Sequence, residues 1–121
     1  MGMNLNIKAR WADALRGGDF KQGQNALRSK DDEYCCLGVL CELYRLDQQG
    51  GKWTEDARDG GYMLFNEEPC VPPDEVMKWA GLENYTRDVH FEHKAVDVSL
   101  SRLNDDGTTF AELADIIEEK L

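Results

Sequence analysis

Residues 34–45, YCCLGVLCELYR, decide the reading of this chain. Three of its four cysteines fall within seven residues there. The stretch is therefore either the centre of the core or a thiol or metal site. Read as a helix over 37–47, it places Leu37, Leu40, Cys41 and Tyr44 on one face. Cys36, Val39, Leu43 and Leu46 fill the neighbouring arc, leaving Gly38, Glu42 and Arg45 as a narrow opposite stripe. A helix apolar over most of its circumference is central, with other elements packed on several sides. Gly38 is costly inside a helix, by roughly 0.5–1 kcal/mol relative to Ala. Close approach of another backbone is one reason to accept that cost; a helix starting after Gly38 is the other.

The thiols do not read as a metal site. A structural zinc site needs about four converging Cys/His ligands, often from C-x₂₋₄-C pairs. Here the spacing is C-C-x₄-C, with Cys70 far along the chain. On a helix Cys36 and Cys41 are about 140° apart. Buried thiols acting as small apolar side chains fit this pattern better.

The rest of the chain supports one domain over 1–121. Its 121 residues, 41% apolar, suffice for a modest core. No apolar run is long enough for a membrane span. Residues 1–15 lack the continuous apolar stretch of a secretory signal, so a cytoplasmic protein with reduced cysteines is expected. The net charge is −10, divided into +4 over residues 1–30 and −14 over 31–121. Such a surface repels nucleic acid, so direct nucleic-acid binding is not expected.

The spacing predicts a first helix over 5–15, stopped by Gly17-Gly18. Residues 20–27 are ambiguous, and Tyr34–Cys35 are expected to pair back onto 25–27 as a short hairpin. Residues 48–68 resemble a long surface loop, with a weak strand at 62–65. Asp74 opens a short helix that Gly81 ends. A strand is expected near 89–91 and a helix over 96–103. Asn104, Asp105, Asp106 and Gly107 form a turn, with the polar side chains bonded within it. Thr109 and Glu112 make a T-x-x-E capping box for a last helix whose inner face is Phe110, Leu113, Ala114, Ile117 and Leu121. The expected fold is compact α+β: three or four helices around a central 36–47 helix, with a small two- or three-stranded antiparallel sheet. A nearly all-α fold is the alternative.

No complete catalytic signature is present. The phosphate loop, the dinucleotide fingerprint, the nucleophile elbow and the H-E-x-x-H motif are all missing. His90-x-x-His93 reads as surface rather than metal ligation or acid–base chemistry, and Asp105-Asp106-Gly107 lacks the calcium-loop pattern. The DGTTFAELADII stretch is similar to the first helix of a helix-turn-helix, but no recognition helix follows it. No catalytic residue, metal or cofactor is assigned. Candidate ligand-binding residues are Arg28, Glu42, Arg45, Trp53 and Tyr62, which supply charge and stacking groups.

ALRS at 26–29, YCCLGVLCELY at 34–44, P-x-x-V-x-x-W-A-G-L over 73–82 and LNDDGTTFAELADIIE at 103–118 together resemble a family of small uncharacterised proteins of tailed phages and prophages. The resemblance covers most of the chain and is weakest over 48–68 and 83–95. It implies an accessory product acting in an infected bacterium and transfers no catalytic residue. The leading expectation is a non-enzymatic protein that binds a host or phage macromolecule, with a host-defence inhibitor as its narrower form. A small-ligand or nucleotide binder is the alternative, and a small hydrolase joining Glu42 or an acidic turn to a histidine or thiol is a third. A homodimer is a further expectation, because the apolar 36–46 helix needs partners on several sides.

Overall fold

The computed structural model describes residues 3–48, 50–58, 60–82, 85 and 88–121; the side chain of His93, one half of the histidine pair, lies outside the described part. Helix α1 (Leu5–Arg16) opens the chain. The Asn4 side chain caps it by accepting from the amides of Asn6 and Ile7 at 2.9 and 3.1 Å. Three two-residue strands follow: β1 (Lys21–Gln22), β2 (Arg28–Ser29) and β3 (Glu33–Tyr34). Helix α2 (Cys36–Gln48) contains the cysteine run. Strands β4 (Trp53–Glu55) and β5 (Tyr62–Phe65) precede the short helix α3 (Asp74–Ala80). A hairpin of β6 (His90–His93) and β7 (Val96–Ser99) leads into α4 (Leu100–Asp105), and α5 (Phe110–Lys120) closes the chain.

Five strands form one mixed sheet in the order β1-β3-β2-β5-β4, with β1 and β3 parallel and the other pairs antiparallel. The hairpin β6–β7 is a separate sheet. The α+β class is as expected. The counts are larger than the expected three or four helices and two or three antiparallel strands, because strands of two to four residues leave little period to read.

Helix α2 is the centre. Its six residues from Cys36 to Cys41 are buried without interruption. The core around it takes Trp11, Ala12 and Leu15 from α1, Val76, Met77 and Ala80 from α3, Leu100 from α4, and Leu113, Ala114 and Ile117 from α5. Leu27, Tyr34 and Phe65 belong to the same core from the sheet side. The helix begins two residues before Gly38, so glycine is inside it. A Cβ there would lie 1.8 Å from the Leu27 carbonyl oxygen. Close backbone approach, not a late helix start, explains this glycine.

Three readings are corrected. Residues 96–103 are not one helix: Val96–Ser99 pair with His90–His93, and Ser99 caps α4 by accepting from the Arg102 amide. The two-residue turn Lys94-Ala95 has φ of 53° and 65°, a left-handed pair that Asn-Gly would normally signal. Residues 48–68 are not one loop, since β4 pairs with β5 and Trp53 stands opposite Phe65. The hairpin near Tyr34 is shifted: Arg28 is the partner of Tyr34, while the Cys35 amide donates to the Leu27 carbonyl at 3.2 Å.

The expectation that Asn104 serves its own turn holds only for a long bond from its Nδ2 to Asp105 at 3.4 Å; its shorter bonds leave the turn. Asn104 is fully buried. Its Oδ1 accepts from Gln22 Nε2 at 2.9 Å and from the Cys36 amide at 3.2 Å. Its Nδ2 donates to the Gly23 carbonyl at 2.8 Å. One side chain thus joins α4 to the first turn of α2 and to the end of β1, satisfying backbone groups that burial would otherwise strand.

Candidate functional site

Gly38, Glu42 and Arg45 share one face of α2 because they are spaced i, i+4, i+7. At Gly38 that face touches the Leu27 backbone. The next residue, Arg28, opens strand β2. One and two turns further along α2, Glu42 and Arg45 face a recess of about 360 Å³ that Arg28, Tyr34, Gly51, Lys52 and Trp53 also line. The stripe read as polar is therefore the seam between the central helix and the sheet.

Inside the recess the Glu42 carboxylate is fully engaged. Arg45 donates to it through Nε at 2.8 Å and Nη2 at 2.7 Å, a two-pronged pair, and Trp53 Nε1 donates at 2.9 Å. Burial pushes the Glu42 carboxyl up, but the bonds from Arg45 and Trp53 and the charges of Arg45 and Arg28 outweigh it and hold it below the ordinary value. The same bond and charge from Glu42 raise Arg45.

Arg28 is held differently. Its guanidinium carbon lies 5.3 Å from the ring centroids of both Tyr34 and Trp53, within cation–π range. Its Nη2 donates to Asp32, and its Nε is buried without a hydrogen-bond partner. A buried unpaired donor costs about 1–3 kcal/mol. The two rings are themselves fixed edge-to-face: Tyr34 against Phe20 at 5.1 Å and Trp53 at 6.0 Å, and Trp53 against Phe65 at 4.8 Å. Gly51 leaves the space for Phe65, since a Cβ there would come within 2.0 Å of its ring. Burial also pushes the Tyr34 phenol up.

Four of the five candidate residues, Arg28, Glu42, Arg45 and Trp53, thus meet in one recess. Tyr62 does not join them. It lines a larger polar groove of about 740 Å³ with Gln22, Asn25, Ser29, Asp31 and Glu33. That groove is less apt for a ligand, because its polar groups already serve the fold. Gln22 Nε2 donates to Asn104 and to the Thr108 carbonyl, its Oε1 accepts from the Phe110 amide, and the Asn25 amide donates to Asp105. Tyr34, Gly51 and Lys52 are the lining residues that sequence reasoning missed. For Tyr34 the available signal is an aromatic side chain so near Arg28 in sequence.

The thiols lie apart from the recess. Cys35, Cys36 and Cys41 are free and buried, and Cys70 is free and exposed. Burial pushes the Cys35 thiol up to about 12 and holds Cys36 and Cys41 well above the ordinary thiol value. Cys35 Sγ accepts from the Gly38 amide at 3.4 Å, a local bond in the first turn of α2. His90 is on the hairpin, its Nδ1 3.3 Å from Asp97. Among the described residues, no group of three or more Cys, His, Asp or Glu side chains is arranged to hold a metal ion, and no helix is long and apolar enough to cross a membrane.

The chain belongs to a family described as a domain of unknown function (DUF8296), whose family model matches residues 3–121. No curated protein and no solved structure matches the chain.

Proposed function

We propose that this is a non-enzymatic accessory protein of a tailed phage or prophage, acting in the cytoplasm of the bacterial host by binding a host or phage protein. The observation that carries the binding reading is the recess. Residues from β2, β3, α2, β4 and the segment just before β4 converge there to present three basic side chains and two aromatic rings on a concave surface. Binding sites are of this kind, with a few placed polar groups in a cleft of roughly 300–1,000 Å³. The phage origin rests on the motif resemblance. A host-defence inhibitor is the narrower form, in which the acidic surface of residues 31–121 faces a nucleic-acid-binding protein. A homodimer through α2 would use its exposed Leu46, which is 56% exposed.

The test is affinity capture from infected cells with the wild-type chain and an Arg45→Ala/Trp53→Ala variant, followed by direct titration of each purified partner. A partner bound by the wild type and lost by the folded variant supports the proposal. Equal binding by both, or no specific partner, refutes it.

The size of the recess also favours a second reading, a small-ligand or nucleotide binder. Native mass spectrometry of gently purified protein tests it, and recovery of ligand-free chain only counts against it. The hydrolase alternative calls for Glu42 or an acidic turn beside a histidine or a thiol. His90 lies away from Glu42, in a separate groove that it lines with Asp97, Arg102 and Asp106 of the acidic turn.

A further inference from the structure

We infer that the recess is an oxyanion site whose Arg28 is paired, from outside the recess, with the chain's own Asp32, and that a carboxylate or phosphate group displaces Asp32 from Arg28. The inference rests on the binding reading above and names the chemistry of what is bound.

The first argument is charge. Arg28, Arg45 and Lys52 line the recess against one lining carboxylate, Glu42, and Asp32, which reaches Arg28 from outside, so cations are locally in excess in a chain of net charge −10. Both Glu42 oxygens are taken, by Arg45 and Trp53. Charges beyond about 8 Å are screened at physiological ionic strength, so this local excess of cations, not the overall charge, decides what enters.

The second is the unfinished coordination of Arg28. A guanidinium has about five N–H donors and favours two-pronged binding of an oxyanion. Arg45 achieves this with Glu42, but Arg28 reaches Asp32 through one Nη2–Oδ1 contact and leaves Nε unpaired. The rings of Tyr34 and Trp53 hold it in place beside that single carboxylate contact.

The third is Asp32 itself. It sits in the turn between β2 and β3 with φ of 61°, and its side chain is 69% exposed. An exposed carboxylate on a turn leaves its partner at little cost. Both rings are already spent on Arg28 and on each other, so recognition runs through charge and not through stacking of a flat ligand.

Isothermal titration of the full chain with inorganic phosphate and, separately, with a glutamate-rich hexapeptide tests this. The wild type is compared with Asp32→Asn, which tolerates the left-handed backbone, with Asp32→Gly as a second variant, and with Arg28→Lys. At least one probe should bind, removal of the Asp32 carboxylate should tighten it about two- to fivefold, and Arg28→Lys should weaken it. Tighter binding of the peptide assigns the oxyanion to an acidic segment of a protein partner; tighter binding of phosphate assigns it to the free ion. No binding of either probe, or no tightening in variants with a wild-type circular dichroism spectrum, overturns the inference. Should a captured partner still bind the wild type and Asp32→Asn alike, the binding proposal stands without it. Should the probes behave as expected while no partner is captured, the oxyanion site stands and the macromolecular reading falls.

Discussion

Single residues set the critical distances in this protein. Gly38 is the clearest. Any side chain there meets the Leu27 carbonyl, at 1.8 Å for a bare Cβ. Neither α2 nor the backbone before β2 can yield without disturbing the core. Gly38→Ala is expected to cost about 3 kcal/mol, the upper part of the overpacking range, read as a lower urea midpoint at unchanged slope. Asn104 is the polar counterpart. Asn104→Ala strands the Cys36 amide and the Gly23 carbonyl in the interior. A loss of about 3 kcal/mol is expected in the same measurement. Glu42 supplies a pH dependence. Its carboxyl is held below the ordinary value in the folded chain. It therefore contributes stability that is fully present above about pH 4.3 and is lost as pH falls through the folded value. Urea unfolding at pH 7 and pH 3 should show a larger acid loss for the wild type than for Glu42→Gln.

At the scale of elements, legibility follows length. Among the longer helices the cap of α5 could be read directly, whereas Asn4, which caps α1, was not read. Thr109 and Glu112 form the reciprocal box that T-x-x-E predicts, and Thr109→Ala should cost about 1 kcal/mol by thermal melting. The strands of the five-stranded sheet run two to four residues, too short to show an alternating pattern. Their pairing rests on contacts between distant segments, such as Arg28 with Met63. The β6–β7 turn carried no Asn-Gly signal, so Val96, Leu100 and Leu103 looked like one helical stripe when a strand and a cap separate the first from the others. The same limit applies to the recess. Glu42 and Arg45 were legible as a polar stripe on α2, but the sheet they face was not.

For the whole molecule, the central placement of α2 has two measurable consequences. Its amides should be among the slowest to exchange with deuterium, since opening them requires α1, α3 and α4 to separate from it. The β6–β7 hairpin, whose residues from Lys94 to Asp97 are exposed, should exchange early. The thiols report the same architecture. In the native protein a thiol reagent should modify Cys70 alone, and all four cysteines after unfolding. Rapid native reaction of two or more would mean that the first turns of α2 open more easily than this packing allows.

The sequence by itself determined the centre of the fold. A run apolar around most of a helix has no stable place except among other elements; whether its glycine marks a backbone alongside or a late helix start was decided only by the Leu27 carbonyl next to it. The composition of the recess was partly legible too, because Glu42 and Arg45 are the charged groups of the least apolar face of that helix. Only the tertiary structure decided what stands opposite them. Arg28, Tyr34 and Trp53 reach the recess from three short strands whose order in the sheet depends on long-range pairing. The absence of a side chain at Gly38 lets the first of those strands come close enough to complete it.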